Sequence, residues 1–151
     1  MISKVENKKK MIKKYFNEAK LYFNNSNEFP KIMFVSSKFF EEDFKKNNFG
    51  VIAMYDDEIN TVTVLDFNLK RKEVNNIIWK AVIYHELTHW YYRKKNFKNC
   101  HNKLFATKLL SIYFNIFKDK KTIFKILKKE KWSIKTKFYQ AFSVYKKYDI
   151  L

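Results

Sequence analysis

The stretch AVIYHELTHWYY, residues 81–92, carries two histidines four positions apart, with a glutamate directly after the first. Positions i and i+4 of an α-helix lie on one face about a turn apart. His85 and His89 could therefore both reach one ion at the usual Zn–N distance of about 2.0–2.1 Å. Glu86 lies about 100° around the helix from His85, where its carboxylate could reach a metal-bound water. The pattern predicts a helix that supplies two metal ligands and a general base.

The third and last histidine of the chain, His101, lies twelve residues after His89. A catalytic zinc site normally has three protein ligands and a water in the fourth position. A loop and the start of a new helix could bring His101 back to the pair, so we expect one Zn²⁺ held by three histidines and a water. The alternative is a chance HExxH pattern on a buried helix, in which the two imidazoles would need other polar partners.

Apolar residues recur at steps of three and four along much of the chain, which predicts amphipathic helices. The predicted helices span residues 2–24, 71–93, 102–117, 119–131 and 134–148, with a shorter one at 38–48.

Three β-rich runs lie between the first two long predicted helices. One spans residues 31–37, and two others, 51–55 and 59–67, flank an acidic tripeptide in the manner of a hairpin. The chain has one Gly and one Pro, which disfavours an all-β fold and Gly-rich phosphate loops. The sequence predicts one mostly helical α+β domain over residues 1–151, with a small antiparallel sheet of about three strands beside the HELTH helix.

The chain is strongly basic, with a formal net charge of +17 that comes almost entirely from lysine. This balance favours an acidic partner, and DNA is the first candidate, although an AT-rich genome would also enrich lysine. Lysine is dense in the loop after the HELTH helix and in the basic C-terminal helices, 119–151. The candidate nucleic-acid contacts are Lys94, Lys95, Lys98, Lys121, Lys125, Lys128 and Lys129.

The cysteine count and the lengths of the apolar runs indicate the cellular compartment of the protein. Cys100 is the only cysteine, which excludes a disulfide or a Cys-based zinc ribbon within the chain. The first residues, MISKVENKKK, lack the apolar centre of a secretion signal, and no apolar run has the roughly 18–20 residues that span a bilayer. We expect a cytoplasmic protein without a membrane partner.

The histidine spacing and the order of elements resemble the SprT-like family of zinc metalloproteases. That family has a helix, a strand, a hairpin, the HExxH helix, and then a third His followed four residues later by an aromatic. Here HELTH is followed by HNKLF, residues 101–105, and the resemblance covers about residues 10–115. It implies a zincin-like fold, zinc ligands His85, His89 and His101, Glu86 as general base, Phe105 as a packing residue, and a protein substrate.

Other interpretations differ in function. The segments HELTHW and FATKLL are similar to the ImmA/IrrE family, whose members cleave or relieve repressors, which implies a repressor-cleaving protease of a mobile element. Asn99 stands near the place of that family's glutamate ligand. A basic DNA-binding module with a structural zinc is a further alternative. For a peptidase, the strand 59–67 would offer its edge to an extended substrate. The candidates for stabilising the oxyanion are Tyr84, Tyr91, Tyr92 and Tyr113.

Overall fold

The computed structural model describes residues 3–23, 28–36, 52–93 and 102–128. Its elements, in chain order, are α1 (Lys4–Ala19) with a 3₁₀ turn (Lys20–Tyr22), β1 (Lys31–Val35), β2 (Ala53–Asp56), β3 (Thr61–Leu65), a 3₁₀ helix (Asp66–Lys70), α2 (Asn76–Arg93), α3 (Lys103–Phe117) and α4 (Lys120–Leu127). The chain divides into two compact units, Met1–Trp90 and Tyr91–Leu151, and the division falls within α2. The assignment of residues 1–151 to one domain stays a prediction.

The predicted mostly helical α+β class is confirmed over the described residues. α2 begins at Asn76, later than the predicted residue 71, because Asn75 caps its first turn. The side chain of Asn75 accepts a hydrogen bond from the N–H of Ile78 at 3.0 Å, which satisfies one of the unpaired donors of the first turn. The predicted helices at 38–48 and 134–148 lie outside the described residues.

The three strands form one sheet in the order β1-β3-β2. The predicted hairpin is confirmed: β2 and β3 pair antiparallel, with Tyr55 opposite Val62. Asn60 ends the turn between them with φ 49°, a left-handed conformation that asparagine tolerates better than most residues. The expectation of a wholly antiparallel sheet is wrong, because β1 pairs parallel to β3. Along the chain β1 is followed by β2, on the far side of β3, and β3 then returns between the two.

The core of the first unit lies against the inner face of this sheet. Val62 and Val64 of the central strand are fully buried, as is Ile12 on the apolar face of α1. An aromatic chain joins the end of α1 to α2: the ring of Phe29 lies 5.1 Å from Phe16 and 5.2 Å from Trp90, in both cases edge to face. Aromatic pairs of this kind add to the burial energy, so they fix α2 relative to α1.

In the second unit, side-chain caps determine where the two helices begin. The side chain of Asn102 accepts from the N–H of Phe105 at 2.9 Å and so begins α3. α3 ends before Lys118, which has φ 51°, a left-handed conformation often found after a helix C-terminus. Asp119 then caps α4 through the N–H groups of Lys121 and Thr122. These two caps explain why the helices begin close to their predicted positions.

Candidate metal centre

Between Ala81 and Trp90, α2 is buried on most of its circumference, and a narrow stripe of residues remains partly exposed. Trp79, Leu87 and Trp90 are fully buried. Between Ala81 and Trp90, the residues that are not buried are Val82, Glu86 and His89, here called the α2 stripe. Their spacing of four and three residues places them on one side of the helix. The predicted base and one predicted ligand therefore lie where a core helix reaches solvent.

The two histidines of α2 face each other. His85 is buried at the side of the α2 stripe, and its Nε2 lies 3.1 Å from the Nε2 of His89. In a metal-free protein, one imidazole would donate its N–H to the other at this distance. Together with Glu86 the pair offers three ligand atoms that all lie within 4.8 Å of one another. His85, Glu86 and His89 therefore form a group that could hold a metal ion.

The geometry of the pair fits an ion bound to both rings. Two nitrogens bound to one tetrahedral ion at about 2.05 Å would lie about 3.3 Å apart, close to the separation of 3.1 Å between the two Nε2 atoms. Imidazole nitrogens suit zinc, copper, iron and nickel, whereas magnesium and calcium prefer oxygen ligands. The donor set thus favours a transition metal or zinc.

Glu86 is tied to the sheet. Its Oε2 accepts a hydrogen bond of 2.8 Å from the backbone N–H of Tyr55 in β2. The hydroxyl of Tyr55 in turn donates to Oδ1 of Asn60, the last residue of the hairpin turn, at 3.1 Å. Among the strands that the structure describes, β2 lies at an edge of the sheet, so this contact connects that edge to the candidate metal group.

The sequence did not identify Tyr55 as part of the site. A run of β-type residues shows that a hairpin is present, but not which of its strands lies at the edge. The expectation that the strand 59–67 offers its edge to a substrate is wrong, because β3 is the central strand and both of its edges are paired. β2 is the strand that has its outer edge beside Glu86.

The predicted third ligand, His101, and Cys100 lie outside the described residues. The described chain resumes at Asn102, which caps α3, with Phe105 buried three residues later. Phe105 packs against the ring of Tyr92 with centroids 6.3 Å apart, consistent with the packing role expected of it. The assignment of His101 as a ligand stays a prediction.

The four candidate tyrosines for an oxyanion contact lie in different surroundings. Tyr84 is buried against Tyr22, and this burial, with smaller contributions from Tyr22 and Glu18, raises the pKa of its phenol. Tyr113 is also fully buried, so each of these two rings belongs to the core of its own unit. Tyr92 donates its hydroxyl to the carbonyl of Leu104 at 2.9 Å.

Tyr91 is half-buried, and the ammonium of Lys108 lies 5.0 Å from the centre of its ring.

Three of the predicted nucleic-acid lysines form an exposed row. Lys121, Lys125 and Lys128, here called the lysine stripe, recur at steps of four and three on and just after α4. The opposite face of α4 buries Ile123 and Ile126. The other four candidates, Lys94, Lys95, Lys98 and Lys129, lie outside the described residues.

Comparison with known proteins gives no relative: no family model, no curated protein and no solved structure matches the chain. Within the described ranges, no helix is both long enough and apolar enough to cross a membrane.

Proposed function

We propose that this protein is a zinc-dependent metallopeptidase of SprT-like type that cleaves protein substrates. The observation that carries the proposal is the pair of Nε2 atoms 3.1 Å apart, beside a glutamate, at the partly exposed stripe of α2, a helix whose other residues between Ala81 and Trp90 are buried. In this proposal His85 and His89 bind Zn²⁺, and His101 completes the ligand set. That third assignment rests on the sequence motif.

A bound zinc ion would lower the pKa of its water towards 7 and polarise the scissile carbonyl. The residues of the chain do the rest. Glu86 takes a proton from the water and delivers it to the leaving amine, which is general base and then general acid catalysis. α2 holds both histidines at a fixed spacing, and Asn102 fixes the start of the helix that follows His101.

Metal-dependent proteolysis tests the proposal. Wild-type protein should cleave fluorescently labelled casein, lose activity on chelation, and regain it when one equivalent of Zn²⁺ is added. Glu86→Gln should retain zinc and lose about 10²–10⁴-fold in rate, the usual contribution of a general base. A variant that binds zinc normally and cleaves as fast as wild type would refute the role of Glu86.

The same preparation separates an enzyme from a binding module with structural zinc. A structural site is normally closed by a fourth protein ligand, whereas a catalytic site keeps a water. Wild-type protein that binds zinc but shows no proteolysis under any condition would favour the structural role. His101→Ala tests the ligand set, and it should lose both metal and activity if three histidines bind the ion.

We propose further that the substrates include proteins associated with DNA. The lysine stripe supports this part of the proposal, since three lysines on one exposed face could contact successive phosphates. Proteolysis and self-cleavage should increase in the presence of single- or double-stranded DNA at low salt. If DNA changes neither rate at any salt concentration, the protein acts on substrates away from DNA.

A further inference from the structure

The direction of one backbone N–H in β2 follows from the ladder of the hairpin. Leu65 donates its N–H to the carbonyl of Ile52 at 3.4 Å, which makes these two residues a hydrogen-bonded pair. In an antiparallel ladder, hydrogen-bonded and non-hydrogen-bonded pairs alternate. Tyr55, three residues along and opposite Val62, therefore belongs to a non-hydrogen-bonded pair. Its N–H points away from β3, towards the outer edge of the sheet.

The N–H of an outer edge normally faces water. Here it donates to a carboxylate 31 residues away in sequence, at 2.8 Å. Hydrogen bonds to an ionised acceptor are shorter and stronger than neutral ones. A glutamate side chain also loses considerable rotational freedom when it is held in one position. The bond from Tyr55 therefore selects one orientation of Glu86 among several.

That orientation bears on the chemical role of Glu86. The ligand atoms of His85, Glu86 and His89 lie within 4.8 Å of one another, so the carboxylate is close enough to become a ligand itself. We propose that the backbone N–H of Tyr55 is a positioning group that holds Glu86 as a base and keeps it out of the coordination of the metal. This inference rests on the proposed function for its chemical meaning, while the bond itself is independent of it. Oε2 is engaged by the N–H, and we assign proton transfer to Oε1.

Proline substitution removes this one donor. A proline is tolerated on an edge strand where the lost N–H faces outward, so Tyr55→Pro keeps the ladder bonds to β3. Tyr55→Ala is the matched reference, because it loses the same side chain and its bond to Asn60 but retains the N–H. All effects of the proline are therefore measured against the alanine variant.

The first measurement uses metal-free protein and needs no activity. Melting temperatures are compared for Tyr55→Ala and Tyr55→Pro, each with Glu86 present and with Glu86→Ala. With Glu86 present, the proline variant should melt about 5 °C lower than the alanine variant, since the bond is charge-assisted. This difference should shrink markedly in the Glu86→Ala background, where any strain from the proline remains but the acceptor is gone. An equal difference in both backgrounds would overturn the proposal.

A second measurement guards against a proline variant that does not fold. Hydrogen exchange of the Tyr55 amide is followed by NMR in metal-free wild type and in Glu86→Ala. Exchange should be at least tenfold faster in the variant, while the amide of Met54, which belongs to a hydrogen-bonded pair with Thr63, should keep its protection. Equal exchange of the Tyr55 amide in both proteins would show that Glu86 does not hold it.

The third measurement tests the consequence for the metal. Bound Co²⁺ changes its visible absorption with coordination number. Compared with Tyr55→Ala, the spectrum of Tyr55→Pro should shift towards higher coordination, and Glu86→Gln in the same background should reverse the shift. The proline variant should also lose kcat with little change in KM. If the wild type binds metal and cleaves substrate normally, but Tyr55→Pro and Tyr55→Ala have the same Co²⁺ spectrum and the same kcat, only the positioning role of Tyr55 is wrong. If the wild type does not bind metal, the proposed function is wrong. The hydrogen bond from Tyr55 to Glu86 is then still tested by the first two measurements, which use metal-free protein.

Discussion

The α2 stripe and the lysine stripe have similar helical spacing but opposite surroundings. Between Ala81 and Trp90, every residue of α2 outside the α2 stripe is buried, so each polar group on the stripe carries a desolvation cost. The lysine stripe is exposed in the part of the chain that the structure describes, on a helix whose other face is apolar, and exposed charges cost little. A few polar residues on a buried helix therefore say more about function than many charges on an exposed one.

The sharpest way to break this comparison is to remove one side chain from each stripe. His89→Ala should lower the affinity for Zn²⁺ by more than about 100-fold, because ligand loss exceeds the 10–100-fold typical of residues that only support a ligand. Lys125→Ala should leave the affinity unchanged. Competition with a chromophoric chelator measures both variants, and a His89→Ala protein that binds zinc like wild type would remove His89 from the site.

Metal removal should also lower stability, because an ion that binds the folded state stabilises it by mass action. At free zinc about 100 times Kd the gain is about 2.7 kcal/mol, or about 5–10 °C in Tm for a chain of this size. Differential scanning calorimetry with and without EDTA measures the shift. The shift should be absent in His89→Ala; if EDTA lowers the Tm of that variant equally, the zinc binds elsewhere.

Sequence patterns predicted the helix carrying HELTH and the hairpin, because both depend on local periodicity. The order of the strands in the sheet could not be predicted from local patterns, since β1 pairs with β3 only after a long stretch of intervening sequence. For the same reason the contact from Tyr55 to Glu86 could not be predicted. It depends on which strand lies at the edge of the sheet, and a hairpin pattern reads the same in either position.

Neutralising the lysine stripe should change DNA binding but not folding. Lys121→Gln, Lys125→Gln and Lys128→Gln together should reduce the slope of log affinity against log salt by up to about 2.7, if each lysine neutralises one phosphate. The free energy of unfolding should change by less than about 0.5 kcal/mol per site. A matched triple variant on α1, Lys4→Gln with Lys10→Gln and Lys14→Gln, controls for net charge. Equal loss in both triples would show that the stripe is not a specific contact.

The smallest expected effect concerns acid stability at the start of α4. Hydrogen bonds from the side chain and the N–H of Thr122 lower the pKa of Asp119 below its usual 3.8. A lowered pKa in the folded state adds stability above pH 3.8, and this contribution is lost as pH falls through the folded value. The Tm advantage of wild type over Asp119→Asn should therefore decrease between pH 5 and pH 2. A Tm advantage that stays constant over this range would show that Asp119 does not cap α4 as an ionised carboxylate.

The most direct test of the central claim is the metal content of wild-type protein purified without chelator, followed by titration with Zn²⁺. The geometry of His85, Glu86 and His89 predicts one zinc ion per chain, bound tightly enough to survive gel filtration. Wild-type protein that carries no metal and binds none on titration would contradict the account, because the catalytic roles assigned to His85, Glu86 and His89 depend on that ion.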